Sequence, residues 1–306
     1  LKFPALAIAF LLLLSSGCKT GRSEKSYLLF DSGKAFSYIE KQVAFGPRVP
    51  GTIAHSSCAG FLLETMAAFA DTAWIDTWPH VSAKGDILKL ANIRASFNPG
   101  AEERIFLCAH WDTRPVADQD PDPGNRQQPI PGANDGGSGV AVLLELARVF
   151  SLNRPEKGVD LALFDGEDYG DFYADQDVLI GSRRFAEFNR NYRPVLGILL
   201  DMVGDRNAAF LYEGNSRAAL PKDCQLVWDT AERLGYGKIF LRQAGPAVID
   251  DHIPLLNAGI HCIDIVQMGL PYWHTVGDTP DKLSPASLEA VGRTLAAVVY
   301  WLNSNN

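Results

Sequence analysis

Apolar residues along this chain follow two rhythms, one helical and one strand-like, that alternate over most of its length. From Asp31 to Ala44 the positions Ala35, Tyr38, Ile39 and Val43 recur at three- and four-residue spacing, which predicts a helix with one buried face. The loop Phe45-Gly46-Pro47-Arg48-Val49-Pro50-Gly51 interrupts it. A second helix is predicted from Ala54 to Ala70, with Phe61, Leu62, Met66 and Phe69 inward. Ala73–Trp78 and Ile87–Ala95 read as strands, followed by a turn at Pro99-Gly100. Beyond it the order strand, loop, helix repeats. The runs Arg104–Ala109, Val159–Phe164 and Val195–Leu200 are continuous and apolar, as strands buried on both faces are. Ala209–Tyr212 and Ile260–Gln267 are further strands. Helical spacing returns at Val140–Phe150, Ser182–Asn189 and Leu220–Leu234. A short helix is predicted over Asp250–Ala258, with two acids at its N-terminus where the helix dipole favours them. Ser284 as N-cap and Pro285 at the first helical position open the last helix, which runs to about Leu302.

Strands alternating with helices predict one α/β domain of three layers, αβα, around a central mixed and mostly parallel sheet. In such sheets ligands bind beyond the carboxyl ends of the strands. No linker divides the chain after residue 31.

Residues 1–18 follow a different pattern. Lys2 precedes the apolar run Phe3–Leu14, then Ser15-Ser16-Gly17-Cys18. A positive start, a short apolar core and small residues read as a secretory signal over 1–17, too short to span a bilayer well. Cys18 after Gly17 resembles the acceptor of a bacterial lipoprotein signal. The expectation is a lipidated Cys18 and tether over 18–30, a domain over 31–306, and an exported, periplasmic or outer-membrane lipoprotein. The formal charge of −8 and the absence of a basic patch argue against nucleic acid and leave a lipid anchor as the membrane contact. Cys58, Cys108, Cys224 and Cys262 show no zinc-site spacing and are expected as free, buried thiols.

The chemistry gathers at strand ends. Pro131-Gly132-Ala133-Asn134-Asp135-Gly136-Gly137-Ser138-Gly139 places one carboxylate in a glycine-rich turn leading into a helix, with Ser138 read as its N-cap. His110, Glu167 with Asp168, Asp201 and His274 each follow an apolar strand or sit in the loop beyond one. Two imidazoles and three or four carboxylates at one sheet edge suit zinc, which takes nitrogen and oxygen donors. Glu167 and Asp168 are adjacent and converge only if their strand has already ended in a turn, which Gly166 permits.

His110-Trp111-Asp112, Gly132-Ala133-Asn134-Asp135, Phe164-Asp165-Gly166-Glu167-Asp168, Leu200-Asp201 and Trp273-His274-Thr275 stand in the order found in zinc aminopeptidases of the zinc-exopeptidase superfamily, and the chain resembles that group. Asp250-Asp251-His252-Ile253-Pro254, Pro271-Tyr272-Trp273-His274-Thr275, Ala109-His110-Trp111-Asp112-Thr113-Arg114-Pro115 and Glu167-Asp168-Tyr169-Gly170 narrow the resemblance to the bacterial glutaminyl cyclases of the same fold. The resemblance implies one zinc held by Asp135, Asp168 and His274, with Asp168 where many relatives have Glu. It implies Glu167 as the proton-shuttling base and Asp201 and Asp250 as hydrogen-bonding partners of the reacting groups. It also implies Trp273 and Tyr173 as pocket walls, and a cis peptide between Asp135 and Gly136. The substrates would be peptides or proteins with N-terminal glutamine, converted to pyroglutamate with loss of ammonia by a monomeric enzyme. His110, Asp112 and Asp201 are either supporting residues or ligands of a second zinc. In a di-zinc aminopeptidase Asp135 would bridge two ions, with His110 and Asp201 holding the second. A non-catalytic binding ectodomain of the same fold is the remaining alternative.

Overall fold

The computed structural model describes residues 26–304; the expected signal peptide and Cys18 lie outside the described residues. After a 3-10 turn at Ser26–Leu29, α1 (Ser32–Ala44) starts where the Asp31 side chain accepts the Lys34 N–H. Thr52 caps α2 (Ile53–Ala67) in the same way through the His55 N–H. β1 (Thr72–Val81) and β2 (Ile87–Phe97) form an antiparallel hairpin, paired from Thr72 with Ser96 to Val81 with Ile87.

Then come β3 (Arg104–His110), α3 (Gly137–Leu152), β4 (Gly158–Phe164), α4 (Ile180–Phe188) and β5 (Leu196–Asp201). They are followed by β6 (Phe210–Tyr212), α5 (Gly214–Ala219), α6 (Pro221–Arg233), β7 (Phe240–Ala244), α7 (His252–Asn257), β8 (Ile263–Val266) and α8 (Pro285–Ser304). The main sheet has the order β1-β2-β4-β3-β5-β8. β3 runs parallel to β4 and β5, and β5 parallel to β8, while β2 meets β4 antiparallel. The parallel strands therefore bring their carboxyl ends to one edge, and the mixed sheet is as expected. β6 and β7 pair separately, in parallel.

Alternation along β3 divides the core. Ile105, Leu107 and Ala109 face the larger cluster, built with α1, α2, α3, α6 and α8. Phe106 and Cys108 face the other layer, where Phe185 of α4 and Leu255 of α7 meet them. Both faces of the central strands are covered, which is why β3, β4 and β5 carry almost no polar side chain. All four cysteines after Cys18 are free and buried, as expected. No helix among the described residues is long and apolar enough to cross a membrane.

Differences from the expected elements have local causes. Ser138 is not an N-cap: α3 already begins at Gly137, and Ser138 Oγ donates to the Asn134 carbonyl and accepts the Val203 N–H. Asp250 and Asp251 lie before α7 rather than inside it, because the Asp251 N–H is turned onto the Asp250 carboxylate and Ser182 binds Asp251. The strand expected over Ile260–Gln267 is only Ile263–Val266. α5 and β7 were not expected; α5 is one and a half turns held by Glu213, and β7 is mostly solvated.

Candidate metal centre

His110 ends β3 and Asp201 ends β5. Asp135 occupies the turn before α3, Asp168 the turn after β4, and His274 the loop after β8. All five are buried. Asp135, Asp168 and His274 offer ligand atoms within 4.8 Å of one another, and so do His110, Asp135 and Asp201. Asp135 belongs to both groups.

Several devices aim these side chains. Gly136 reverses the chain at φ +74°, and a Cβ there would lie 3.0 Å from the Asp112 carbonyl and the His110 ring. No peptide bond among the described residues is cis, so the expected cis Asp135–Gly136 bond is corrected: rotation at Gly136 makes the reversal with a trans peptide. Asp278 accepts the N–H groups of Asn134 and Asp135 at 2.9 and 3.1 Å. Arg48, wholly buried, binds the carbonyls of Trp111, Pro131 and Gly132. The turn is thus clamped by an acid on its amides and a base on its carbonyls. Gly139 permits close packing, since a Cβ there would lie 2.3 Å from the Leu200 carbonyl of β5.

β4 ends at Phe164, and Gly166 takes φ +71°, the turn that lets Glu167 and Asp168 face one site. Asp112 fixes that turn by accepting both their N–H groups, at 3.1 and 3.2 Å. His274 itself sits in the left-handed region, φ +54°, as does Met202 at φ +50°, just past Asp201. Backbone of this kind in non-glycine residues costs energy and concentrates at functional sites.

Each imidazole divides its two nitrogens between roles. His274 Nε2 lies 3.6 Å from Asp135 and 3.5 Å from Asp168, while its Nδ1 lies 3.4 Å from Asp118. His110 Nε2 lies 3.2 Å from both Asp135 and Asp201, and its Nδ1 faces Asp112 and Glu167 at 3.6 and 3.7 Å. Arg114 ties Asp168 to Asp118, with Nη1 on Asp168 at 2.7 Å and Nε on Asp118 at 2.8 Å.

The electrostatics are those of a crowded acid cluster. Burial raises the Glu167 carboxyl well above its usual range; His110 opposes that, and Asp168, Asp250 and Asp251 add to it. Burial likewise pushes Asp168 to about 6 and Asp201 to about 7, against the pull of His274 and His110 respectively. Burial alone would depress His110, but the surrounding carboxylates, Glu167 foremost, hold it well above its usual value. Burial would raise Asp135 too, yet hydrogen bonding and charge from His110 bring it below the ordinary carboxylate value. Asp135 Oδ2 and Asp168 Oδ2 are buried without any hydrogen-bond partner. Two orphaned carboxylate oxygens beside an imidazole nitrogen fit a bound cation, and the N/O donor set fits zinc.

A cavity of about 690 Å3 opens over Asp135, Glu167, Asp168, Asp201, Asp250 and His274. Trp273 lines it and stacks on His274 at 3.8 Å between ring centroids. Tyr173 lines the cavity at its outer rim, where reciprocal hydrogen bonds between Asp171 and Gln176 close a small hairpin that leaves Tyr173 fully exposed. Phe172, which sequence reasoning passed over, lines the cavity beside it. Arg48, Asp118, Asp278 and Phe172 were all missed; only the unusual Gly-Pro-Arg turn at Arg48 gave any signal.

Fold and site together define a metal-dependent exopeptidase-like α/β protein. The model of peptidase family M28 matches residues 92–299, and the chain belongs to that family. The chain is 28% identical over 211 residues to the aminopeptidase YwaD of Bacillus subtilis, covering 64% of this chain and 40% of that protein. To the glutaminyl-peptide cyclotransferase of Bos taurus it is 26% identical over 249 residues, covering 68% of this chain and 65% of that one. The chain thus spans less than two thirds of the length of either relative. Similar solved structures include bacterial glutaminyl cyclases and zinc exopeptidases. The glutaminyl cyclase of Bacteroides thetaiotaomicron, bound to N-acetylhistamine, superposes with a TM-score of 0.85 at 40% identity, covering 89% of this chain and 98% of that one.

Proposed function

We propose that this protein is a zinc-dependent glutaminyl-peptide cyclotransferase. The observation that carries the reading is the convergence of Glu167, Asp201 and Asp250 on the cavity that also contains Asp135, Asp168 and His274. Asp135, Asp168 and His274 would hold the zinc, which when bound supplies Lewis-acid polarisation of the substrate's γ-carboxamide oxygen. The cavity accepts an N-terminal glutamine, with Trp273 against its side chain. Asp201 and Asp250 hold the α-amine and position it against the carboxamide carbon. A bond forms from the α-nitrogen to that carbon, and the bond to the amide nitrogen breaks. Glu167 takes the proton that the attacking amine must lose and returns it to the leaving nitrogen, which departs as ammonia. Its raised pKa suits a group that must both accept and donate within one turnover.

In the one-ion reading His110 and Asp201 keep the hydrogen bond they make at 3.2 Å; in a two-ion reading they and Asp135 would hold the second ion. A di-zinc aminopeptidase is the competing reading. Offering Gln-peptides and leucine amide side by side while counting zinc per chain separates them: pyroglutamate and one zinc support the cyclase, and free leucine with two zincs overturns it. Glu167→Gln is expected to keep its zinc and lose at least about 100-fold in turnover; retained turnover removes Glu167 from the mechanism. The leader pattern before Cys18 supports export and lipid anchoring at Cys18 of the domain over 31–306.

A further inference from the structure

A second cavity, of about 340 Å3, opens at the outer edge of the sheet between β1, β2 and the end of α4. It shares no lining residue with the cavity over the metal cluster. Asp76 and Arg184 in its lining pair with each other, and its uncompensated charge comes from Arg94 on β2. The Arg94 guanidinium lies between two rings, 4.8 Å from the centroid of Trp74 and 4.6 Å from that of Phe185. Among the described residues Arg94 has no ion pair and no side-chain hydrogen bond.

The acids nearby are committed elsewhere. Asp76 accepts two hydrogen bonds from Arg184, at 2.8 and 3.0 Å. Asp160 accepts from Arg104 and from Tyr192. Burial lowers the Arg94 pKa, and the more distant charges of Asp160, Tyr192 and Asp76 offset this only in part. A half-buried guanidinium set against two rings, with no side-chain hydrogen bond among the described residues, keeps its N–H edge as a bonding surface. That fork matches a carboxylate in two parallel hydrogen bonds. Around it the rings of Trp74, Phe185 and Phe188 share the lining with Asp76, Asn92, Arg184 and Asn189, and Trp74 and Phe188 are large hydrophobic residues left exposed. β1 is also the edge strand of the sheet, so its outer backbone groups are unpaired within the sheet.

We propose that this pocket binds the free C-terminal carboxylate of a peptide whose last side chain is apolar. Arg94 takes the carboxylate, Phe188 and Trp74 take the side chain, and the preceding residues run along the open edge of β1. Charge complementarity and the aromatic walls name this ligand over a phosphate: Asn92 and Asn189 already bind the carbonyls of Gly181 and Phe185, and Arg184 binds Asp76, which leaves the Arg94 fork to meet one carboxylate.

The test titrates the zinc-loaded full chain with N-acetylphenylalanine and with N-acetylphenylalaninamide, followed by calorimetry and by tryptophan fluorescence. The acid is expected to bind, with the amide at least about tenfold weaker and Arg94→Gln at least about tenfold weaker for the acid. Turnover of a Gln-peptide should be unchanged in Arg94→Gln. Should that variant lack a native melting transition, Arg94→Lys, which keeps the charge and loses the fork, is expected to weaken the acid several-fold. Three outcomes overturn the proposal: no binding of the acid, equal binding of acid and amide, or equal binding by wild type and variant, which would put the acid at the metal centre.

Discussion

Two buried clusters of acids and histidine lie side by side in this molecule; Asp250, His252 and Asp264 of the second also bring ligand atoms within 4.8 Å of one another, but its histidine does not line the cavity. In the first, each imidazole presents Nε2 to the shared carboxylates and keeps Nδ1 for an outer acid, Asp118 for His274 and Asp112 for His110. In the second, His252 stands between two acids that lie on opposite sides of its ring: Nε2 is 3.2 Å from Glu213 and Nδ1 3.6 Å from Asp264. Metal-ligating histidines have the first pattern, because the outer acid fixes the ring and raises its basicity. His252 divides its nitrogens in the same way, so access rather than ring orientation separates the two. The first cluster opens into a cavity, whereas His252 and Asp264 are sealed, with at most 1% of either exposed. Similar composition, differently exposed, thus gives an open centre and a sealed tie.

That tie has a use. Glu213 caps α5 through the N–H groups of Asn215 and Ser216 and also accepts the Val248 N–H at 2.8 Å. Asn215 holds the Val248 carbonyl, again at 2.8 Å. Val248 lies two residues before Asp250 in the segment that lines the cavity. The second cluster therefore anchors a wall of the first.

The largest expected effect tests the contrast directly. Asp135→Asn should lose zinc and at least about 1000-fold in turnover, since it removes a charge that both ligand groups share. Asp118→Asn should weaken zinc only about 10- to 100-fold, as outer partners of ligating histidines do. Zinc titration of both variants checks the order, and equal losses would show that Asp118 does more than orient His274.

A smaller effect belongs to the second cluster. Burial raises the Glu213 carboxyl, but hydrogen bonds from His252, Ser216 and Asn215 outweigh it and hold the group at about 2, against an ordinary 4.5. A depressed carboxylate stabilises the fold above its unfolded value and loses that contribution as pH falls through its folded one. Glu213→Gln should therefore cost about 2 kcal/mol near neutrality. The gap to wild type should close between about 4.5 and 2, with zinc content unaffected. Urea midpoints measured across that range check it; a gap independent of pH would mean the variant acts through lost packing alone.

Much of the architecture was legible in the chain. β3, β4 and β5 are continuous apolar runs because both their faces are covered, and each ends where a charged residue begins. The Asp-Gly-Glu-Asp turn after β4 could be read from one constraint, that adjacent side chains converge only after a strand has stopped. What escaped were residues whose role depends on distant chain segments. Asp118 is one acid in a long polar loop, and nothing local sets it apart from its neighbours. Asp278 reaches back to Asn134 and Asp135 across more than 140 residues of chain. Tyr173 reaches the cavity only at its rim, and Phe172 beside it gave no signal of its own.

The sequence by itself determined the strand and helix rhythm, the sheet edge where the charged residues gather and the donor types available there, because these depend on residue identity and short-range spacing. Only the tertiary structure decided which acids surround each histidine, and which cluster opens its histidine to a cavity. It also decided that the turn at Asp135 is made by a glycine at positive φ with a trans peptide. Ring orientation and burial are set by contacts between segments far apart in the chain, and no local pattern of residues carries that information.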